Sequence, residues 1–201
     1  LSAHSRGVTP LGTSKDTHNQ PLRSGKGSGY EGGIRVPLIL AWAGASRPGY
    51  ELPADSMLPF ATLSNDLYST IADVAQIPRN WRHVDENAHA ASLWPIIAGK
   101  LGIVQRPMVW HYPHKWGPSG DRYEPFTAWR EGDYKLIYWY EAEQFELYNL
   151  QNDIGESNDL INSHPEIAQR LANNLQQWMT AVDAQLPLRK ADGKMLPVPT
   201  L

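Results

Sequence analysis

Residues 21–37 read PLRSGKGSGYEGGIRVP, in which Lys26 is framed by Gly25, Gly27 and Gly29 and followed at once by Glu31, Gly32, Gly33 and Arg35. Glycines around a lysine let the backbone come close to a ligand and leave the ammonium group unobstructed, as recognition of a tetrahedral oxyanion requires. The pattern is not the phosphate loop GxxxxGK[ST]: the spaced upstream glycine and the following hydroxyl are missing, and no strand leads into it. A nucleotide site is therefore not expected. Taken locally, an exposed loop lysine and an anion-binding lysine are the two readings. Glu31 and Arg35 stand four apart, but GGIRVP does not have a helical pattern, so no i,i+4 pair is expected. Their expected role is support. The carboxylate would hold backbone amides of the glycine turn, and Arg35 would make a bidentate pair that fixes the loop on a sheet.

The histidines fall into two sets. His4 and His18 lie in the N-terminal loop, whereas His111 and His114 sit in VWHYPHKW. Pro113 between the latter two rules out an ordinary helical metal face, and no third ligand accompanies them. Hydrogen bonding or proton donation to a substrate stands beside the plain reading of surface histidines. His164 is accounted for as a helix-boundary residue. The run LYNLQNDIGESNDL, residues 147–160, resembles a calcium loop only superficially, because its acidic spacing and terminal glutamate are wrong. A turn capped by side-chain to backbone bonds is expected there.

With 201 residues the chain is long enough to bury a real core in one domain or two. A net charge of −3, with no block of like charges, gives no footprint for nucleic acid or a membrane surface. No apolar run is long enough to span a bilayer, and the first twenty residues lack the apolar centre of a secretory signal. They also lack apolar periodicity, so the chain reads as beginning within a polar loop. The absence of cysteine excludes disulfides, thiolate metal sites and a cysteine nucleophile within these residues. Eight tryptophans and nine tyrosines against three phenylalanines favour rings with a polar edge. Such rings suit amphipathic packing on sheets, or a half-wet sugar groove.

The elements that would position these residues change character along the chain. Up to residue 33 the pattern is loop. Residues 34–42, IRVPLILAW, form a short, nearly continuous apolar run that predicts a buried strand, placed at an edge or starting after Pro37. Leu67, Ile71, Val74 and Ala75 predict a helix over 64–77 with Ser64 or Asn65 as its cap, stopped by Pro78. ASLWPIIAGK predicts a helical turn ending at Gly99, with Leu93, Ile96 and Ile97 packed inward. Beyond about residue 103 the pattern turns to β. Strands over 106–112, 126–130, 134–140 and 145–150, joined by short turns, predict an antiparallel meander. A final helix begins with Pro165 at its first position and turns Ile167, Leu171, Leu175, Trp178 and Val182 to one face. The expected division is 1–103 and 104–201.

Five segments in order resemble the sulfatases of the alkaline-phosphatase-like superfamily. GKGSGYEGGIRVPLIL is similar to their GK…YEGGxRxP stretch, NDLYSTIADVA to their DLxPTxxxxAG helix and ASLWPIIAGK to their SLxPLLxG turn. AWREGDYKLIY is similar to their RxGxxKLI hairpin, and ELYNLQNDIGESNDL to ELYNLxxDPxExxNL. Ile154 stands where the family has proline, and Gln76-Ile77 replaces its Ala-Gly; neither departure touches chemistry.

The resemblance implies an α/β fold: the C-terminal part of an alkaline-phosphatase-like domain, then a small antiparallel sheet with a packed C-terminal helix. It implies hydrolysis of sulfate esters, with a sulfated carbohydrate or small molecule as substrate, by a formylglycine nucleophile beside a calcium ion. Neither the nucleophile motif C/S-x-P/A-x-R nor a recognisable ligand set occurs in these residues. By resemblance both belong upstream of Leu1, in an N-terminal part that would be this chain's partner, and the 201 residues alone are expected to be inactive. Lys26 matches the lysine that contacts the sulfate. His4, His111 and His114 are carried over as contacts on the leaving-group side. A periplasmic or extracellular location is implied by the family. Two other readings stand beside this one, a non-catalytic glycan-binding or structural module and a phosphate or phosphonate ester hydrolase of the same superfamily.

Overall fold

The computed structural model describes residues 19–41, 51–58, 60–81, 90–100, 105–115 and 121–201. His4, His18, His83 and His89 lie outside the described residues. The chain divides into two units, residues 1–36 with 107–201, and residues 37–106. The glycine-framed stretch thus groups with the β-rich half, although it lies on the other side of the expected division at 103.

The first unit contains a single helical turn, α1 (Glu31–Ile34). The second holds α2 (Asp66–Val74), a 3-10 turn over Arg79–Trp81 and α3 (Trp94–Ile97). The first unit resumes with β1 (Met108–Tyr112), β2 (Phe126–Glu131), β3 (Tyr134–Trp139), β4 (Gln144–Asn149) and α4 (Pro165–Ala181). The four strands form one antiparallel sheet in chain order, the expected meander. Gly132 takes φ 59° in the β2–β3 turn, which closes the hairpin. Among the described residues no helix is long and apolar enough to cross a membrane.

Alternation along the strands gives the sheet two unlike faces. Trp129, Leu136, Phe145 and Leu147 point to α4 and meet Ala168, Leu171, Ala172, Leu175 and Met179 in one apolar cluster. Leu171, Leu175 and Met179 are almost wholly buried, and each contributes about 2 kcal/mol of apolar burial. The buried stripe of α4 is rotated from the expected one: Ile167 and Trp178 only flank it, and Ala168, Ala172 and Met179 take the centre. Small alanines let the helix sit close to the sheet. The opposite face carries Phe126, Ala128, Ile137, Trp139 and Tyr148, covered by Tyr30 from the segment leading into α1.

Two expectations fail. Residues 35–41 form no strand, and Val36 and Ile39 are exposed. No described strand pairs with them, and Pro37 lacks the N–H that a ladder needs, so the apolar run alone does not make a strand. In α2 the anticipated apolar stripe is only partly covered: Val74 packs against Leu93, Trp94 and Ile97, but Ile71 is exposed while Asp66, Ser69, Thr70 and Ala72 are buried. Polar bonds decide this orientation. Asp66 accepts the Leu63 amide at 2.7 Å and the Ala91 amide at 2.9 Å and pairs with Arg106, and the Thr70 hydroxyl accepts the Leu93 amide at 2.8 Å. The side-chain cap expected of Ser64 or Asn65 is not made at Asn65; Asp66 instead ties the preceding turn and Ala91 to the start of the helix. The turn at α3 forms as expected, with Leu93 and Ile97 buried and Gly99 at φ 66°.

Candidate functional site

Lys26 stands exposed at the tip of a loop whose ends meet. The Gly32 amide donates to the Arg23 carbonyl at 3.0 Å, and the Ser28 amide to the Gly25 carbonyl at 3.1 Å. Gly27 sits at φ 105°, where a side chain would be strained. A Cβ on Gly32 would collide with the carbonyl oxygens of Arg23 and Ser24, so the crossing of the two loop ends requires glycine there. The glycines that frame the lysine thus shape a closed loop, not a floppy one.

Both ends of this loop are tied to the sheet. Before Lys26, the Arg23 guanidinium donates to Asp121 at 3.0 Å, to the Tyr148 hydroxyl at 3.1 Å and to the Glu156 carbonyl at 2.9 Å, and lies 3.8 Å above the Tyr30 ring. Ser24 donates to the Asp121 carbonyl at 3.1 Å. After Lys26, the Tyr30 hydroxyl donates to Glu146 at 2.7 Å. Glu31 accepts the Lys135 ammonium at 2.9 Å and has the Arg130 guanidinium at 3.8 Å. Lys135, with no exposed surface, also donates to Glu156 at 2.8 Å, and Glu156 accepts the Glu31 amide at 2.6 Å. A buried lysine is tolerable only when its charge is compensated in this way, and here two carboxylates share it.

The electrostatics follow from burial. Loss of solvent pushes the Glu156 carboxyl up, with Lys135 opposing. The Tyr30 and Tyr148 hydroxyls are pushed up, first by burial and then by the Glu146 charge they face. Burial would raise Glu146 too, but hydrogen bonds from Tyr30 and Tyr148 and the Arg122 charge outweigh it and hold this carboxyl below the usual range. Arg122 spans Glu124 at 2.9 Å and Glu146 at 3.0 Å. Both tyrosines therefore stay protonated donors and Glu146 stays an acceptor.

The sequence-predicted residues do not converge. The Glu31 carboxylate, expected to hold amides of the glycine turn, instead meets Lys135 and Arg130. Arg35 is exposed, and the pairing of loop to sheet expected of it is made by Arg23. His111 lies on the α4 side of β1, its Nε2 against the Gln185 carbonyl at 2.7 Å, and burial pushes its pKa down. His114 lies beyond the end of β1 and is exposed. Its ring is 5.7 Å from Tyr112, Tyr112 is 6.2 Å from Phe126, and the Phe126 ring packs against Gly29 of the loop. The two histidines nevertheless remain close enough to interact, the His114 charge adding to burial in lowering the His111 pKa. The 147–160 run is the expected capped turn: Asp153 accepts the Ser157 amide at 2.9 Å and the Asn158 amide at 2.8 Å.

Sequence reasoning missed Arg23, Lys135, Glu146 and Glu156. For Lys135 a signal existed. In YKLIYW alternation sets it on one face with Ile137 and Trp139, and a charge on an apolar face needs a buried partner. Among the described residues no three His, Asp or Glu side chains gather as a metal site.

Residues 25–185 match the family described as N-sulphoglucosamine sulphohydrolase, C-terminal. A sulfatase of Formosa agariphila is 31% identical over 91% of this chain, and human arylsulfatase A is 28% identical over 81%. The chain spans 34% of the length of each. Among solved structures, Ps i-CgsB in complex with k-i-k-neocarrahexaose superposes with a TM-score of 0.59 at 26% identity, covering 82% of this chain and 33% of that one. Lys26, the meander and the capped turn all fall inside the matched span, and the chain belongs to the C-terminal family of the sulfatases.

Proposed function

We propose that this chain supplies the sulfate-binding loop of a sulfatase that hydrolyses sulfate esters of a carbohydrate. The observation that carries this reading is the exposed ammonium of Lys26 at the tip of a closed glycine loop, both ends of which are tied to one buried polar network. A sulfate ester is anionic at any physiological pH, so a fixed cation binds it and offsets the charge that develops as the S–O bond breaks. Preorganisation is what makes such a cation effective, because the charge need not be brought into place during the reaction. The relatives named sulfatases support the sulfate ester over the phosphate ester, and the neocarrahexaose held by Ps i-CgsB supports a saccharide.

In this reading residues 1–103 complete the catalytic α/β domain and 104–201 form the subdomain that braces it. His114, exposed and with its ring against Tyr112, is the better placed of the two histidines to meet a leaving group; His111 is bonded to the Gln185 carbonyl. His4 keeps its expected substrate contact only as a proposal. The formylglycine and calcium that the family implies do not fit these residues: the motif C/S-x-P/A-x-R does not occur in the sequence, and the described residues offer no metal site. Both are assigned to the N-terminal part of the enzyme, and no step is derived through them. A periplasmic or extracellular location fits a polysaccharide substrate.

Lys26→Ala in the full-length enzyme tests the reading. Turnover of an aryl sulfate should fall on the order of 10²- to 10³-fold with the fold intact. Near-normal rates would refute the role of Lys26, and faster turnover of the matching phosphate ester would move the assignment to phosphoryl chemistry.

A further inference from the structure

One residue outside the Lys26 loop touches both of its ends. The Glu156 carbonyl accepts the Arg23 guanidinium at 2.9 Å, three residues before Lys26, and its Oε2 accepts the Glu31 amide at 2.6 Å, five residues after it. Its Oε1 takes the Lys135 ammonium at 2.8 Å, which in turn holds the Glu31 side chain at 2.9 Å. Glu156 has no exposed surface and sits at φ 50°, a backbone region that favours glycine, yet a long acidic side chain occupies it. The turn around it closes without its carboxylate, through Asp153 and the amides of Ser157 and Asn158. The Glu156 side chain is thus not needed to shape its own loop; its bonds all go to the Lys26 loop and to the strand beneath.

We infer that Glu156 is a positioning residue for Lys26, clamping the two ends of the loop so that the ammonium meets the sulfate in one geometry. The inference rests on Lys26 being the sulfate contact. The carboxylate serves two donors at once, the Glu31 amide and the Lys135 ammonium, and an amide side chain offers one acceptor in its place. Glu156→Gln therefore releases one of the two ties while keeping size and shape.

The test is a double-mutant cycle in the full-length enzyme, with kcat and KM measured separately on an aryl sulfate and amide hydrogen exchange followed alongside. Glu156→Gln should lower kcat/KM about 10- to 100-fold, mainly through kcat, since small misplacement of a catalytic group has effects of that order. It should speed exchange at Glu31 and Gly32 while leaving Leu136 and Ile137 in β3 protected. In a Lys26→Ala background the same change should have little further effect, because its action passes through the missing ammonium. Equal losses in both backgrounds, or unchanged kcat in the single variant, would overturn the inference and leave the role of Lys26 standing. A harmless Lys26→Ala would remove both. Should Glu156→Gln lose β3 protection as well, Arg23→Gln cuts the tie to the Glu156 carbonyl from the half-exposed side and is judged by the same cycle: additive losses overturn the inference, non-additive losses support it.

Discussion

The two faces of the meander bury their side chains by different means. Toward α4 the contacts are apolar, from Trp129, Leu136 and Leu147 to Leu171, Leu175 and Met179, and polar groups such as Glu131, which takes Arg170 and Asn174, stay at the margin. Toward the Lys26 loop, Lys135, Glu31, Glu146 and Glu156 are buried among Tyr30, Ile137 and Trp139. Apolar burial is non-directional, so the α4 face tolerates swaps that keep volume. Hydrogen-bonded charge is directional, and its free energy depends on every partner being in place. The first arrangement holds a helix on a sheet. The second holds a loop in one geometry, at the risk of instability when any member is lost.

The contrast can be broken from either side. The largest effect is expected from Lys135→Met, which strands Glu31 and Glu156 together without their shared cation and should cost about 3 to 5 kcal/mol in denaturant unfolding. Adding Glu31→Gln and Glu156→Gln to it should restore much of that stability, because the buried like charges disappear. A triple variant no more stable than Lys135→Met would show that shape, not charge balance, governs this face. On the α4 face, Leu171→Ala should cost about 3 kcal/mol through lost burial and a residual cavity, with the Lys26 loop amides still protected from exchange. Loss of loop protection in that variant would mean that the two faces are coupled. The smallest effect concerns His111, whose pKa is pushed below its ordinary 6.5 by burial. Below pH 6.5 the unfolded chain takes up a proton that the folded state resists, so stability present at neutral pH is lost as pH falls through that window. His111→Gln should flatten this part of the stability–pH profile; an unchanged slope would place the acid sensitivity elsewhere.

Much of the meander was legible in the sequence because its strands are short, strongly patterned and joined by tight turns, and Pro165 marked the start of α4 within one residue. The 147–160 turn was legible for the same reason, since Asp153 and Asn149 bond to amides a few positions away. The strand expected over 34–42 was not, because an apolar run reports the wish to be buried and says nothing about what lies alongside. The orientation of α2 was misread because its periodicity weighs apolar residues only, whereas Asp66 and Thr70 bond to Ala91 and Leu93, more than twenty positions away.

Of the candidate site, the sequence by itself determined the local part: a lysine among glycines and ordered segments that resemble the sulfatases. Tertiary structure alone decided what holds that loop. The bond between Lys135 and Glu31 crosses 104 positions, and the His111 ring meets the Gln185 carbonyl, 74 positions away. Local periodicity encodes which way a side chain points relative to its own element. Which partner it meets depends on how distant elements pack, and for a buried charge that partner determines whether the arrangement is stable at all.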